Sequence, residues 1–252
     1  MTTVADIVAF FETWAPLDSA ASWDNVGLQL GDSSQSISTV LVALEIDGDV
    51  LQLMNQRKVD MVITHHPLFF KPIKSIDYRG DLGQVLVACF SNQTAVFSAH
   101  TNLDVAKGGV NDCLIRHYGL EAQHAMPILE GFGGVLACEL DFKALRSVMP
   151  CRVLGDQDVR PVQKIGFCAG SGHGLVTALP DLGVDTFVTG EVTYHDHVFC
   201  AFHGIRIITV GHYASEVLVV PEIASRLRKA MTGLDVLELA RFDENAEVKV
   251  FS

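Results

Sequence analysis

Apolar residues in this chain gather into short unbroken runs separated by stretches of helical spacing, and their alternation predicts a fold before any chemistry is considered. Val4, Ile7, Val8 and Phe11 recur on one helical face, and Pro16 closes that first helix. Residues 40–46 form an almost continuous apolar run, a helix is expected over 50–57, and 60–64 is a second apolar, β-branched run that stops at His65, His66 and Pro67. Runs of this kind suit strands buried on both faces, so the segment predicts a βαβ unit with parallel strands. The polar, turn-rich stretch 71–81 lies where a flap over the strand ends would be. A helix (82–91) and a strand (94–99) follow, ending at His100, and Lys107 to Asp112 opens a helix carrying Leu114, Ile115 and Tyr118.

The second half repeats the plan. Periodicity lapses over 121–130, around Pro127, and a boundary there gives two α/β domains, 1–125 and 126–252. Expected next are a strand at 135–140, a helix around Leu145, strands at 164–170, 184–189 and 205–210, helices at 174–182, 197–202 and 221–231, and a last strand at 247–251 that is free to return to the first domain. Val184, Asp185 and Thr189 match Val59, Asp60 and Thr64 at one offset of 125 residues (184 − 59, 189 − 64), and Val40 falls on Ile165 at the same offset. The fold class read from this is α/β, two related domains arising by internal duplication.

Composition narrows the function classes. With 49% hydrophobic and 19% charged residues the chain can bury a substantial core, and its net charge of −12, without a Lys/Arg cluster, argues against nucleic acid and anionic membrane as partners. The N-terminal segment lacks the basic and apolar regions of a signal peptide, and no apolar run approaches the ~20 residues of a membrane span, so a cytoplasmic protein is expected. Cys89, Cys113, Cys138, Cys151, Cys168 and Cys200 form no C-x-x-C pair and are expected to be reduced.

The chemistry concentrates at strand ends, where open α/β sheets bind ligands. An adjacent His-His pair is by itself more often one hydrogen-bonded histidine beside one exposed one. The rest of the chain adds donors: one strand ends in His100 with Asp104 four residues on, and another leads to His212 with Glu216 four residues on. His65, His66, Asp104, His212 and Glu216 are thus the candidate metal ligands. Nitrogen and oxygen donors without thiolate suit two divalent ions drawn from zinc, iron, manganese and nickel, and such a pair activates water for hydrolysis. His100 and His195 are spare imidazoles, expected to act as general acid or base or to orient a ligand. His117, His124, His173, His197 and His203 are expected to be structural or exposed. The loop 21–32, with Trp23, Asp24 and Asn25, is either substrate-facing or a turn anchored to the core by its Trp. The glycines at 108–109 and 170–174 precede helices without completing a phosphate-binding fingerprint, and a turn role fits them better.

Six segments taken in order (Trp23-Asp24-Asn25-Val26-Gly27-Leu28, Thr64-His65-His66-Pro67, His100-Thr101-Asn102-Leu103-Asp104, Gly108-Gly109-Val110-Asn111-Asp112, Thr189-Gly190-Glu191 and Gly211-His212-Tyr213-Ala214-Ser215-Glu216) resemble the YbgI-like, or Nif-three-like, family of GTP cyclohydrolase type 2 homologues. The resemblance implies two α/β domains with a dinuclear metal site in the cleft between them, the same five ligands, and a toroidal homohexamer built as a trimer of dimers. For function it implies a metal-dependent hydrolase acting on a nucleotide or related small molecule. A non-catalytic metal-binding regulatory or scaffold protein is the competing reading.

Overall fold

Thr3 begins the first helix by a reciprocal cap: its hydroxyl accepts the Asp6 N–H, and the Asp6 carboxylate accepts the Thr3 N–H, fixing α1 (Val4–Trp14) after the short strand β1 (Thr2–Thr3). The computed structural model describes residues 1–147, 152–154 and 160–241. The chain divides into two compact units: one comprises Met1–Lys107 with Val219–Ala240, and the other spans Gly108–Leu218 and takes in Arg241.

In the first unit α1 buries Val4, Ile7 and Phe11 completely, and Phe11 stacks on Phe97 at 4.8 Å between ring centroids. Strands β2 (Gly27–Leu30), β3 (Ser36–Ile37), β4 (Thr39–Ala43), β5 (Met61–Thr64) and β6 (Ala95–Ser98) alternate with helices α2 (Gly48–Gln56), α3 (Asp81–Asn92) and α4 (Thr101–Val105). Asp47 caps α2 by accepting the Asp49 and Val50 N–H groups. The expected parallel core is present: β4, β5 and β6 are parallel neighbours, and the side chains of β5 and β6 are buried throughout.

The second unit contains α5 (Val110–His117), β7 (Gly134–Leu140), α6 (Phe142–Ser147), β8 (Arg152–Leu154), β9 (Val162–Ser171), β10 (Thr186–Glu191), α7 (Tyr194–Phe202), β11 (Arg206–Thr209) and α8 (His212–Glu216). The chain then returns to the first unit through α9 (Val219–Ala230) and β12 (Asp235–Leu239). Sheet order is β12-β4-β5-β6-β2 in one unit and β7-β9-β10-β11-β8 in the other. Val40 pairs with Met61 and Ile165 with Thr186, so the pairing register of the first two core strands carries over at the same 125-residue offset (165 − 40, 186 − 61).

The repeated Val-Asp dipeptide has a structural cause. Asp60 Oδ2 accepts the Ser38 N–H at 2.8 Å and the Thr39 N–H at 3.1 Å. Asp185 Oδ2 accepts the Gln163 N–H at 2.7 Å and the Lys164 N–H at 2.8 Å. Each carboxylate thereby ties the start of its strand to the start of the neighbouring one. Asp185 also meets Arg206 Nη2 at 2.7 Å, where the guanidinium is 3% exposed.

Several boundaries differ from the sequence-based expectation. The units part at Lys107/Gly108, because α5 packs on β9 and shares the second core through Leu114 and Ile115, both fully buried. The return strand is β12, not 247–251, which lies outside the described residues. The helix expected over 174–182 is a short 3₁₀ turn, His173–Ala178. Helix α7 starts earlier than residue 197, because Thr193 and Asp196 form a second reciprocal cap. Edge strands β2 and β8 were not expected. Cys89, Cys113, Cys138, Cys168 and Cys200 are thiols, and Cys151 lies outside the described residues. Among the described residues no helix is long and apolar enough to cross a membrane.

Burial alone would raise the Asp60 and Asp185 pKa values, but the hydrogen bonds they accept hold both below the ordinary carboxylate value. Their contribution to stability is therefore complete above that value and is lost as pH falls through the folded-state pKa. Asp60→Asn should destabilise the protein by about 1–3 kcal/mol near neutral pH. Thermal unfolding should show this deficit closing once the wild-type carboxylate is protonated in acid. Asp185→Ala should cost more, about 3–5 kcal/mol, because it strands the buried Arg206.

Candidate metal centre

In the first unit, three imidazoles converge where β5 and β6 end. His65 is fully buried and His66 half-buried, both just beyond β5, and His100 caps α4 just beyond β6. One ring nitrogen from each of the three lies within 4.8 Å of the others, a spacing that can hold a metal ion. Proline at 67 ends the ladder and Thr64 turns the chain, its hydroxyl donating to the His66 carbonyl at 2.8 Å. That turn is what brings adjacent histidines to one side, since neighbours within a strand point to opposite faces.

Each imidazole is fixed through Nδ1. His65 Nδ1 lies 2.9 Å from the Ala99 carbonyl, His66 Nδ1 2.6 Å from Glu45 Oε2, and His100 Nδ1 2.9 Å from Asp24 Oδ1. Carbonyl and carboxylate oxygens only accept, so the proton sits on Nδ1 and a neutral ring presents its Nε2 lone pair. Metal-binding histidines are oriented in this way. Asp104, on α4, places Oδ1 3.7 Å from His65 Nε2. That is too long for a hydrogen bond, but two donors each ~2.0–2.2 Å from one ion can stand that far apart.

Asp24 is the organiser of the His100 side. Its side chain is fully buried, and besides His100 it accepts the Thr101 N–H at 3.0 Å and the Thr101 hydroxyl. Burial pushes its pKa up, but the bonds from His100 and Thr101 outweigh burial and hold the carboxyl well below the usual range. The loop 21–32 is therefore tied to the histidines through Asp24 and not anchored to the core by Trp23, whose side chain is largely exposed.

In the second unit α8 carries the other donors. His212 Nε2 and Glu216 Oε2 are 3.2 Å apart, one turn of helix separating them, and Glu191 Oε1 meets His212 Nδ1 at 3.1 Å. The backbone beneath them is glycine for steric reasons. A Cβ on Gly170 (φ +63°) would strike the Glu216 carboxylate and lie 3.3 Å from His212 Nε2, and one on Gly190 would press 2.7 Å from Ser215 Oγ and 2.9 Å from the His212 Cα. Gly170 N–H donates to Ser215 Oγ, which donates to the His212 carbonyl, locking the helix start onto the strand end. Gly108, the other candidate for phosphate, gives its N–H to Asp112 at 2.6 Å. Both glycine stretches thus serve packing and turns.

His195 joins neither group. It is exposed in the first turn of α7, where its ring contacts Tyr194. Glu45 and Asp24 are the participants that strand-end reasoning passed over, whereas Glu191 belongs to the strand-end turn at 189–191 that the resemblance includes. Glu45 had a signal, as the single acidic residue interrupting the apolar run 40–46.

Comparison with known proteins shows the family and the fold. The sequence profile of the Duf34/NIF3 (NGG1p interacting factor 3) family matches residues 2–245. A GTP cyclohydrolase 1 type 2 homolog of Clostridium acetobutylicum is 30% identical over 92% of this chain and 92% of its own. A protein named GTP cyclohydrolase 1 type 2 from Helicobacter pylori is 29% identical over 88% of this chain and 92% of its own. Among solved structures, reduced HcgD from Methanocaldococcus jannaschii superposes with a TM-score of 0.83 at 27% identity, covering 94% of this chain and 98% of that one.

If Glu45 and Glu191 orient the histidines, Glu45→Gln and Glu191→Gln should each weaken divalent-metal affinity about 10–100-fold in a competitive chelator titration. Gly170→Ala should displace Glu216 and weaken affinity by at least as much, with the circular dichroism spectrum unchanged.

Proposed function

This chain belongs to the Duf34/NIF3 family, and on that premise we propose that it is a dinuclear metal-dependent hydrolase acting on a nucleotide or related small molecule. In this reading His65, His66, Asp104, His212 and Glu216 are the ligands of two divalent ions of the zinc, iron, manganese or nickel type. The observation that carries it is the convergence of three imidazoles at the strand ends, one ring nitrogen each of His65, His66 and His100 lying within 4.8 Å of the others and each ring oriented by an oxygen at Nδ1. Bound there, the ions supply Lewis-acid activation of water near neutral pH. Five donors of nitrogen and oxygen, none of them thiolate, suit that role.

The chain's own residues do the rest. Asp24 holds the His100 ring by Nδ1, leaving Nε2 to take a proton from the attacking water and return it to the leaving group. His195, exposed on α7, is the second candidate for proton transfer. The relatives named GTP cyclohydrolase support a nucleotide as substrate. Homohexameric assembly and a cytoplasmic location complete the reading. An exposed apolar stripe on α7, formed by Tyr194, Val198 and Phe202 at four-residue spacing, supports assembly of copies.

One observation favours the second reading, a metal-binding regulatory or scaffold protein. A triphosphate needs cations, and near the histidines the sequence offers only Lys71, Lys74, Arg79 and Lys107, all of them exposed. A hydrolysis screen of nucleotides and phosphoesters with metal-loaded protein separates the two. Turnover should appear with wild type and fall at least about a hundredfold in His66→Ala and Glu216→Ala. Equal turnover in those variants, or none in the wild type across the screen, contradicts the hydrolase reading.

A further inference from the structure

Among the exposed aromatic residues of the first unit, which include Tyr78 and Phe90, Trp23 and Phe70 touch each other beside His100. Phe11 and Phe97 are completely buried, whereas Trp23 is 62% and Phe70 49% exposed, and the two exposed rings touch edge to face at 5.9 Å. Both lie against His100, Trp23 at 6.3 Å and Phe70 at 6.2 Å, each nearly perpendicular to the imidazole. His100 is in turn 5.0 Å from His65 and 5.8 Å from His66. The exposed rings therefore border His100 directly, and through it the His65–His66 pair.

We propose that Trp23 and Phe70 form a stacking platform for a planar heteroaromatic ring, such as a nucleobase, beside the histidine cluster. It deepens the hydrolase reading, and rests on it for the chemistry that follows binding. Single exposed aromatics are common, but these two are held in place from both sides. Asn25 Nδ2 donates to the Phe69 carbonyl at 2.6 Å, the Phe69 N–H donates to Gln29 Oε1 at 2.9 Å, and Gln29 Nε2 returns to the Asn25 carbonyl. Asp24, next to Trp23, is fixed by His100 and Thr101. Rings whose backbones are already ordered stack a ligand with little further loss of freedom.

The charge of the chain points to the same occupant. At −12, with exposed and scattered lysines, the protein is poorly equipped to grip a nucleotide by its phosphates, and stacking on the base supplies affinity without cations. Ile73, Ile76 and Tyr78 continue the exposed apolar surface along the same segment, so a second copy of the chain is the competing occupant. The platform is the part that adjoins the polar imidazoles, where a small flat ligand meets stacking and reactive groups at once.

The chain has two tryptophans, Trp14 and Trp23, so a Trp14→Phe background makes Trp23 the reporter. In full-length, metal-stripped protein, guanosine and guanosine 5′-monophosphate should quench Trp23 fluorescence saturably, and ribose 5-phosphate should not. Phe70→Ala should weaken guanosine binding about tenfold. If Phe70→Ala fails to fold, Phe70→Leu removes the ring while keeping an apolar side chain. Absence of quenching by guanosine, an unchanged midpoint in the Phe70 variants, or quenching that follows protein concentration alone overturns the proposal, the last outcome pointing to an interface between copies. Hydrolysis is read separately on metal-loaded protein: stacking without turnover leaves the platform and sinks the hydrolase reading, and turnover without stacking does the reverse.

Discussion

An imidazole can offer its Nε2 lone pair to an ion dependably only if something fixes the proton on the other nitrogen, and that constraint runs through both units. His65 is held by a backbone carbonyl, His66 by Glu45, His100 by Asp24 and His212 by Glu191. Each acceptor comes from a neighbouring strand end or loop, so the sheets that carry the histidines also set their orientation. The same need for exact placement explains the glycines beneath α8: with any side chain at Gly170, the Glu216 carboxylate would have to move.

The two sheets meet this need with one local device. An aspartate ahead of the second core strand binds the first residues of its neighbour, Asp60 in one unit and Asp185 in the other, and so fixes the register that brings the strand ends level. Register matters here because a slip of one residue would turn every side chain to the opposite face. In the first unit, level strand ends put residues 65, 66 and 100 within a ligand's reach.

The strands of the parallel core were legible because burial on both faces leaves an unmistakable apolar run, as at Val40 to Leu44 and Met61 to Ile63. The donor residues at their ends could be read from the same pattern. What escaped were features decided by tertiary contact. Strand β12 is an edge strand with only Val236 buried, so its period is faint, and its place in the first sheet depends on the chain returning through α9. The start of α7 was fixed by a Thr193–Asp196 cap inside a polar stretch, which moved His195 into a helical turn. Asp24 lies in a loop whose Trp drew attention first, although the aspartate rather than the indole ties that loop to the site.

The chain belongs to the Duf34/NIF3 family, and its metal content is where the proposal meets experiment most directly. Elemental analysis of protein purified without added chelator, combined with titration of the stripped protein, should give two divalent ions per chain, with at least one site lost in Glu216→Ala and in His65→Ala. Substoichiometric metal, or two ions retained with unchanged affinity in both variants, would contradict the assignment of these side chains as ligands.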